Sequence, residues 1–220
     1  MAAGSKTSRT RRRRIIAAVA GGASVLGLIT AGLAFVGPAW WFPATDDPQV
    51  AIRGNAIEQG IASTVTRVRQ DAAPWGFAIG EDDVNDWLAS RLDPWLAHDD
   101  RFRLPAGWTD PRVRFDEDAI RLAVRSPVGP VVVFDLVPRL ESTAVILDLD
   151  GTSMGRLPVP DFLSNPMLPE SLSVDGGPDR ASPGFLNLPR DFELGDGRRI
   201  RIEDFEIVAG EMGIRFRTLP

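Results

Sequence analysis

The sequence predicts an α+β chain: an N-terminal transmembrane helix, then two helices packed on a curled antiparallel β-meander. Three observations predict it. Residues 15–36 are an uncharged, apolar run. Residues 50–68 and 84–92 repeat their apolar side chains at helical spacing. After Pro111 the apolar period drops from 3.6 to 2, the period of a strand with one face buried.

The apolar run comes first. Residues 1–14 hold Lys6, Arg9 and the cluster Arg11, Arg12, Arg13 and Arg14, with no acid. No charge follows from Ile15 to Thr45. As a helix, 15–36 spans roughly 33 Å, enough for a hydrocarbon core of about 30 Å. Gly37-Pro38 ends it. Trp40, Trp41 and Phe42 then fall where an aromatic belt sits at a membrane interface. The basic cluster precedes the span and Asp46-Asp47 follows it, so the tail is expected in the cytoplasm. The run exceeds the usual length of a cleaved leader's core, and no A-x-A site closes it. The expectation is an uncleaved single-pass anchor in a bacterial inner membrane, with the C-terminal domain extracytoplasmic. The expected divisions are a basic tail (1–14), a transmembrane helix (15–36), an interfacial linker (37–47) and one α+β domain (48–220).

Composition narrows the function classes. The chain has 25 basic and 30 acidic residues. The tail takes six of the basic ones, leaving 19 against 30, a net charge of −11 for the remainder. Such a domain repels nucleic acid, so none is expected as a partner. There is no cysteine, hence no disulfide, zinc-thiolate site or iron–sulfur cluster.

Along the exported part, Asp47-Pro48 is a helix start: an Asp cap with Pro at the first position. Val50, Ile57, Ile61, Val65 and Val68 make one stripe, which Gly54 and Gly60 weaken. This helix is expected to end before Pro74. Trp75, Phe77 and Ile79 alternate as a short strand. Gly80-Glu81-Asp82-Asp83 opens a second helix with acids in its first turn. Val84, Trp87, Leu88 and Leu92 form its apolar face, and Pro94 is expected to end it. Residues 93–111 read as an irregular link with Trp95 and Trp108. Short strands follow around Val113 to Phe115, Ile120 to Val124, Val131 to Leu136 and Ala144 to Leu149. Their connections are too short for parallel crossovers. Residues 156–190 are rich in Pro, Gly and Ser, with one short helix possible at 161–163. A last hairpin turns within 209–213.

Phe77-Ala-Ile-Gly-Glu-Asp-Asp-Val-Asn85-Asp-Trp87-Leu88 is similar to a strand-then-helix segment of small, single-anchor bacterial proteins of uncharacterised function. So are Gly155-Arg-Leu-Pro158-Val-Pro160 and the terminal Glu211-Met212-Gly213. The chain resembles the YpmS-type proteins and, more distantly, the LmeA-type phospholipid-binding proteins, over roughly residues 48–220. The resemblance implies a curled sheet wrapped on a helix, with an apolar groove of the tubular lipid-binding kind. It carries over no catalytic residue.

Three polar motifs have simpler explanations than catalysis. Gly151-Thr-Ser153-Met-Gly155 matches G-x-S-x-G, but two prolines follow where a helix must start, and the only histidine, His98, precedes the Ser. His98-Asp99-Asp100 has poor spacing for one metal ion. Asp148-Leu-Asp150-Gly151 lacks the third ligand and the Glu of a calcium loop. No cofactor and no enzymatic activity are expected. The ligand-groove candidates are Trp75, Phe77, Trp87, Trp95 and Trp108. Two functions remain: a tethered module that holds a lipid or other apolar ligand, or an envelope scaffold that docks another protein.

Overall fold

A computed structural model describes residues 27–43, 47–69, 73–98, 104–160 and 186–219. Arg11 to Arg14, residues 15–26 of the apolar run, Asp99, Asp100 and the short helix considered at 161–163 lie outside the described residues. Among those described, no helix is long and apolar enough to cross a membrane. Of the 15–36 run, the described residues 27–35 are helical and are labelled helix α1.

The chain is α+β and its described strand pairings are antiparallel. The strands form two sheets, where the sequence suggested one meander. A four-stranded sheet runs β1 (Trp75–Gly80), β10 (Glu211–Leu219), β9 (Arg199–Val208), β8 (Asp191–Glu193). A six-stranded sheet runs β2 (Thr109–Asp116), β3 (Ala119–Arg125), β4 (Val131–Leu140), β5 (Ala144–Met154), β6 (Leu157–Val159), and β7 (Leu186–Pro189) also pairs with β5. The first strand thus pairs with the last, Trp75 opposite Phe216 and Ile79 opposite Met212.

Arg190 joins the sheets at the corner between β7 and β8. Its guanidinium donates to Ile202 O at 2.7 Å and to Glu141 O at 3.0 Å, and its own carbonyl accepts from Ile202 N at 2.9 Å. A second joint lies at the β9–β10 turn. Gly210 N donates to Phe115 O at 3.0 Å, and Gly210 O accepts from Glu81 N at 2.8 Å. Strand β2, the last of its sheet, therefore has backbone partners outside any ladder.

Two helices pack on this frame. Helix α2 (Pro48–Thr66) starts as its sequence dictates, with the Asp47 carboxylate accepting from Gln49 N at 2.9 Å. Helix α3 (Glu81–Leu96) follows β1 directly. Gly54 sits where the two helices touch. A Cβ there would collide with Ser90 Oγ, so the residue that lowers helix propensity is the one that lets α2 approach. Ion pairs Arg53–Asp86 and Arg91–Glu58 flank the contact. Helix α3 runs two residues beyond Pro94, its expected end. Proline removes a donor and crowds the preceding turn. Here the helix closes just afterwards, with Ala97 N on Asp93 O at 3.0 Å.

Strand β4 is buried on both faces, and its alternation separates two cores. Val132, Phe134 and Leu136 join Val124 on one side. Val131 and Val133 join Ala123 on the other, beneath Trp40 and Trp41. A third core holds Val145, Ile200, Ile202 and Phe216. A fourth packs Val84 and Leu88 of α3 on Val113, Phe115 and Ile207.

Candidate functional site

The segment expected to be an interfacial linker is built into the domain. Arg156 N donates to Leu33 O at 3.1 Å. Gly155, at φ +59°, lies so close to the Leu33 and Ala34 carbonyls that any side chain would strike them. Trp41 lies on Ala123, Val131 and Val133, with its Nε1 donating to Asp110 O at 3.1 Å. The Arg125 guanidinium sits 4.7 Å from the Trp41 ring centroid. Arg112 then clamps the chain, donating to Phe42 O at 3.1 Å, Pro43 O at 3.4 Å and Asn85 O at 3.2 Å. Of the three expected interface residues, Trp40 and Trp41 cover a sheet face and Phe42 stays exposed.

The five expected groove residues are not brought together. Trp75 and Phe77 stack on Phe216, with centroids 4.8 and 5.7 Å away, and Arg69 covers Trp75 at 3.6 Å. Trp87 and Trp95 meet edge-on at 6.2 Å within α3. Trp108 stacks on Phe134 at 6.3 Å, over a different core. Sequence spacing identified apolar rings correctly but carried no information about which core each would join.

Of the five, Phe77 lines a cleft beside α2. An open cleft of about 250 Å³ separates α2 from β1. Ile57, Ile61 and Thr64 stand on the helix side, and Phe77 and Ile79 on the strand side. Gly60 also lines it, and a Cβ placed on Gly60 would meet no atom within 4 Å. Helix α2 packs closely on α3 around Gly54 and meets the sheet core at Val65, and the cleft opens between these contacts. The sequence signal was present: a glycine beside an apolar stripe.

A larger cleft of about 760 Å³, near Trp40 and Asp47, mixes apolar and charged side chains, and several of the charged ones are engaged. Arg53 pairs with Asp86, and Glu81 accepts from Phe115 N at 2.8 Å. Asn85 holds the same strand edge: its carbonyl accepts from Val113 N at 2.8 Å and its amide donates to Val113 O at 2.9 Å. Glu81 and Asn85, the polar heart of the strand-then-helix segment, thus act as a substitute β-partner for β2.

The remaining polar motifs are placed as follows. Ser153 lies in β5 and is followed by a tight turn into β6, so strand–turn–strand stands where a nucleophile elbow requires strand–turn–helix. The His98 ring lies 2.7 Å from Pro94 O. Among the described residues no group of His, Cys, Asp or Glu converges as a metal site. Asp148 pairs with Arg139 at 2.9 Å. Asp116 and Asp135 share Arg121, at 3.0 and 3.1 Å, and burial pushes the Asp135 carboxyl above its usual range against the pull of Arg121. Hydrogen bonds from Arg201 hold the Asp191 carboxyl below that range.

Compared with known proteins, the chain matches no family model, no curated protein and no solved structure.

Proposed function

We propose that the chain is a membrane-tethered, extracytoplasmic, non-catalytic module that holds a slender apolar ligand, such as an acyl chain, between α2 and β1. The observation that carries this reading is the cleft itself: Ile57, Ile61, Phe77 and Ile79 face an opening that Gly60 leaves unfilled. Its volume of about 250 Å³ falls below the roughly 300–1,000 Å³ of drug-sized sites. At a water-like volume per group it takes on the order of eight methylenes. Their transfer is worth about 6 kcal/mol before association costs. The expected affinity is therefore weak, with Kd on the order of tens of micromolar or higher. The charge-free run 15–36 supports the tether, and the resemblance to single-anchor and phospholipid-binding proteins supports the ligand class.

The test is native mass spectrometry of the full chain released from detergent, beside titration with a fluorescent fatty acid. Adducts of acyl-chain mass and saturable uptake are expected. A clean apo mass with no uptake, together with a reproducible crosslinked envelope partner, would instead establish the scaffold reading.

A further inference from the structure

We infer that the β3–β4 turn, Ser126 to Pro130, is a second contact with the bilayer, borne by the domain itself. The inference rests on the tethered reading and fixes the domain's orientation. Helix α1 presents Leu28 and Phe35 to the outside, 74% and 65% exposed. The chain leaving it is locked to the six-stranded sheet through Leu33 and Trp41, so helix and sheet are held in one arrangement. The β3–β4 turn stands beside the end of α1. The Phe35 ring lies 3.7 Å from where a Gly129 Cβ would be, and Gly37 packs on the Val131 side chain. At the turn's tip Val128 is 76% exposed, more than any other large apolar residue described.

The turn is chemically suited to an interface. Ser126 N donates to Pro130 O and Gly129 N to Ser126 O, both at 2.9 Å. Pro127 and Pro130 have no N–H, which leaves few backbone donors to desolvate. Charge points the same way. In a domain of net charge −11, residues 119–134 and 151–160 contain no acid, although Asp118, Asp135, Asp150 and Asp161 bound them. These stretches supply the β3–β4 and β5–β6 turns. Arg156, exposed in the second, lies against the end of α1 and is placed to meet a lipid phosphate. An apolar tip and an arginine, continuous with an apolar helix and beside an Asp110 that is paired with Arg125, fit a phospholipid surface better than an aqueous one.

The chain has no cysteine, so single labels are unambiguous. The full chain is labelled with an environment-sensitive fluorophore at Val128→Cys, Leu28→Cys or Glu117→Cys. It is then reconstituted into phosphatidylethanolamine–phosphatidylglycerol vesicles with brominated acyl chains. Glu117 lies in the turn at the other end of β3, about 23 Å away at the usual rise per residue. Quenching at 128 approaching that at 28, with none at 117, is the expected result. Quenching at 28 with 128 behaving like 117 overturns the inference and leaves the tether standing. A label at 28 that is not quenched removes the tether and the inference together. A label at 128 that is shielded from water yet not quenched shows a protein, or a second copy, on the turn and also overturns it.

Discussion

Trp41→Ala probes whether residues 33–43 belong to the domain. The indole is half-buried, so roughly 100 Å² of its surface leaves water, worth about 2.5 kcal/mol. The Arg125 contact, 4.7 Å from the ring centroid, adds about 0.5–1 kcal/mol. The 3.1 Å hydrogen bond from Nε1 to Asp110 O adds about 1 kcal/mol. Contributions within one residue do not sum fully, so the expected loss is about 3 kcal/mol. Trp41→Phe keeps a ring over Val131 and Val133 but loses the donor, and should cost about 1 kcal/mol. The assay is urea unfolding of the full chain in detergent, followed by far-ultraviolet circular dichroism. With a slope near 2 kcal/mol/M, the Trp41→Ala midpoint should fall by about 1.5 M. The same reasoning makes a chain starting at residue 45 less stable than one starting at 27. Midpoints within error of the parent for both variants would refute the docking of this segment.

Four further substitutions test other joints. Asn85→Ala leaves the Val113 N–H and C=O without their side-chain partner, and should cost about 1–3 kcal/mol with faster amide exchange at Val113. Gly54→Ala gains helix propensity of roughly 0.8–1 kcal/mol yet should still destabilise, because the new Cβ meets Ser90 Oγ; Ser90→Gly in the same chain should recover most of the loss, read as a double-mutant cycle. Asp135→Asn tests the partly exposed acid beside Arg121. Because its folded-state pKa is raised, the folded protein binds that proton more tightly than the unfolded chain, so stability falls as pH rises through the folded value. The variant should therefore match the parent below the ordinary carboxylate range and be equal or slightly more stable at neutral pH. A gain under about 1 kcal/mol is expected for so exposed a group, and a clear loss at pH 7 would show that the Arg121 pair outweighs burial.

Much of the fold was legible where the determinants are local. Asp47-Pro48 capped α2 as expected, and the change of period at Pro111 located β2 to β5, because capping and one-sided burial depend on near neighbours. What was not legible depends on distant residues. Nothing local to Trp75 says that its strand pairs with residues 211–219 and so opens a separate sheet. Strands β7 and β8 are three or four residues long and pair with β5 and β9, strands distant from each other in sequence, with Arg190 bonded to the backbone at both places. Trp40 and Trp41 are half-buried rings after an apolar run, a pattern that a membrane interface and a sheet face both favour. The cleft was half visible. Ile57 and Ile61 were read as an apolar stripe and Gly60 as a defect in it, and only the fold shows that the gap at Gly60 faces β1.

The apolar-ligand reading is tested most directly by fluorescent fatty-acid uptake in the full chain and in its Gly60→Leu variant, with urea unfolding of both. A leucine at 60 meets no atom at its Cβ, raises helix propensity and fills the cleft. The account predicts saturable uptake by the parent and its loss in the variant, at equal or higher stability. Equal uptake by both chains, or none by the parent, would contradict it.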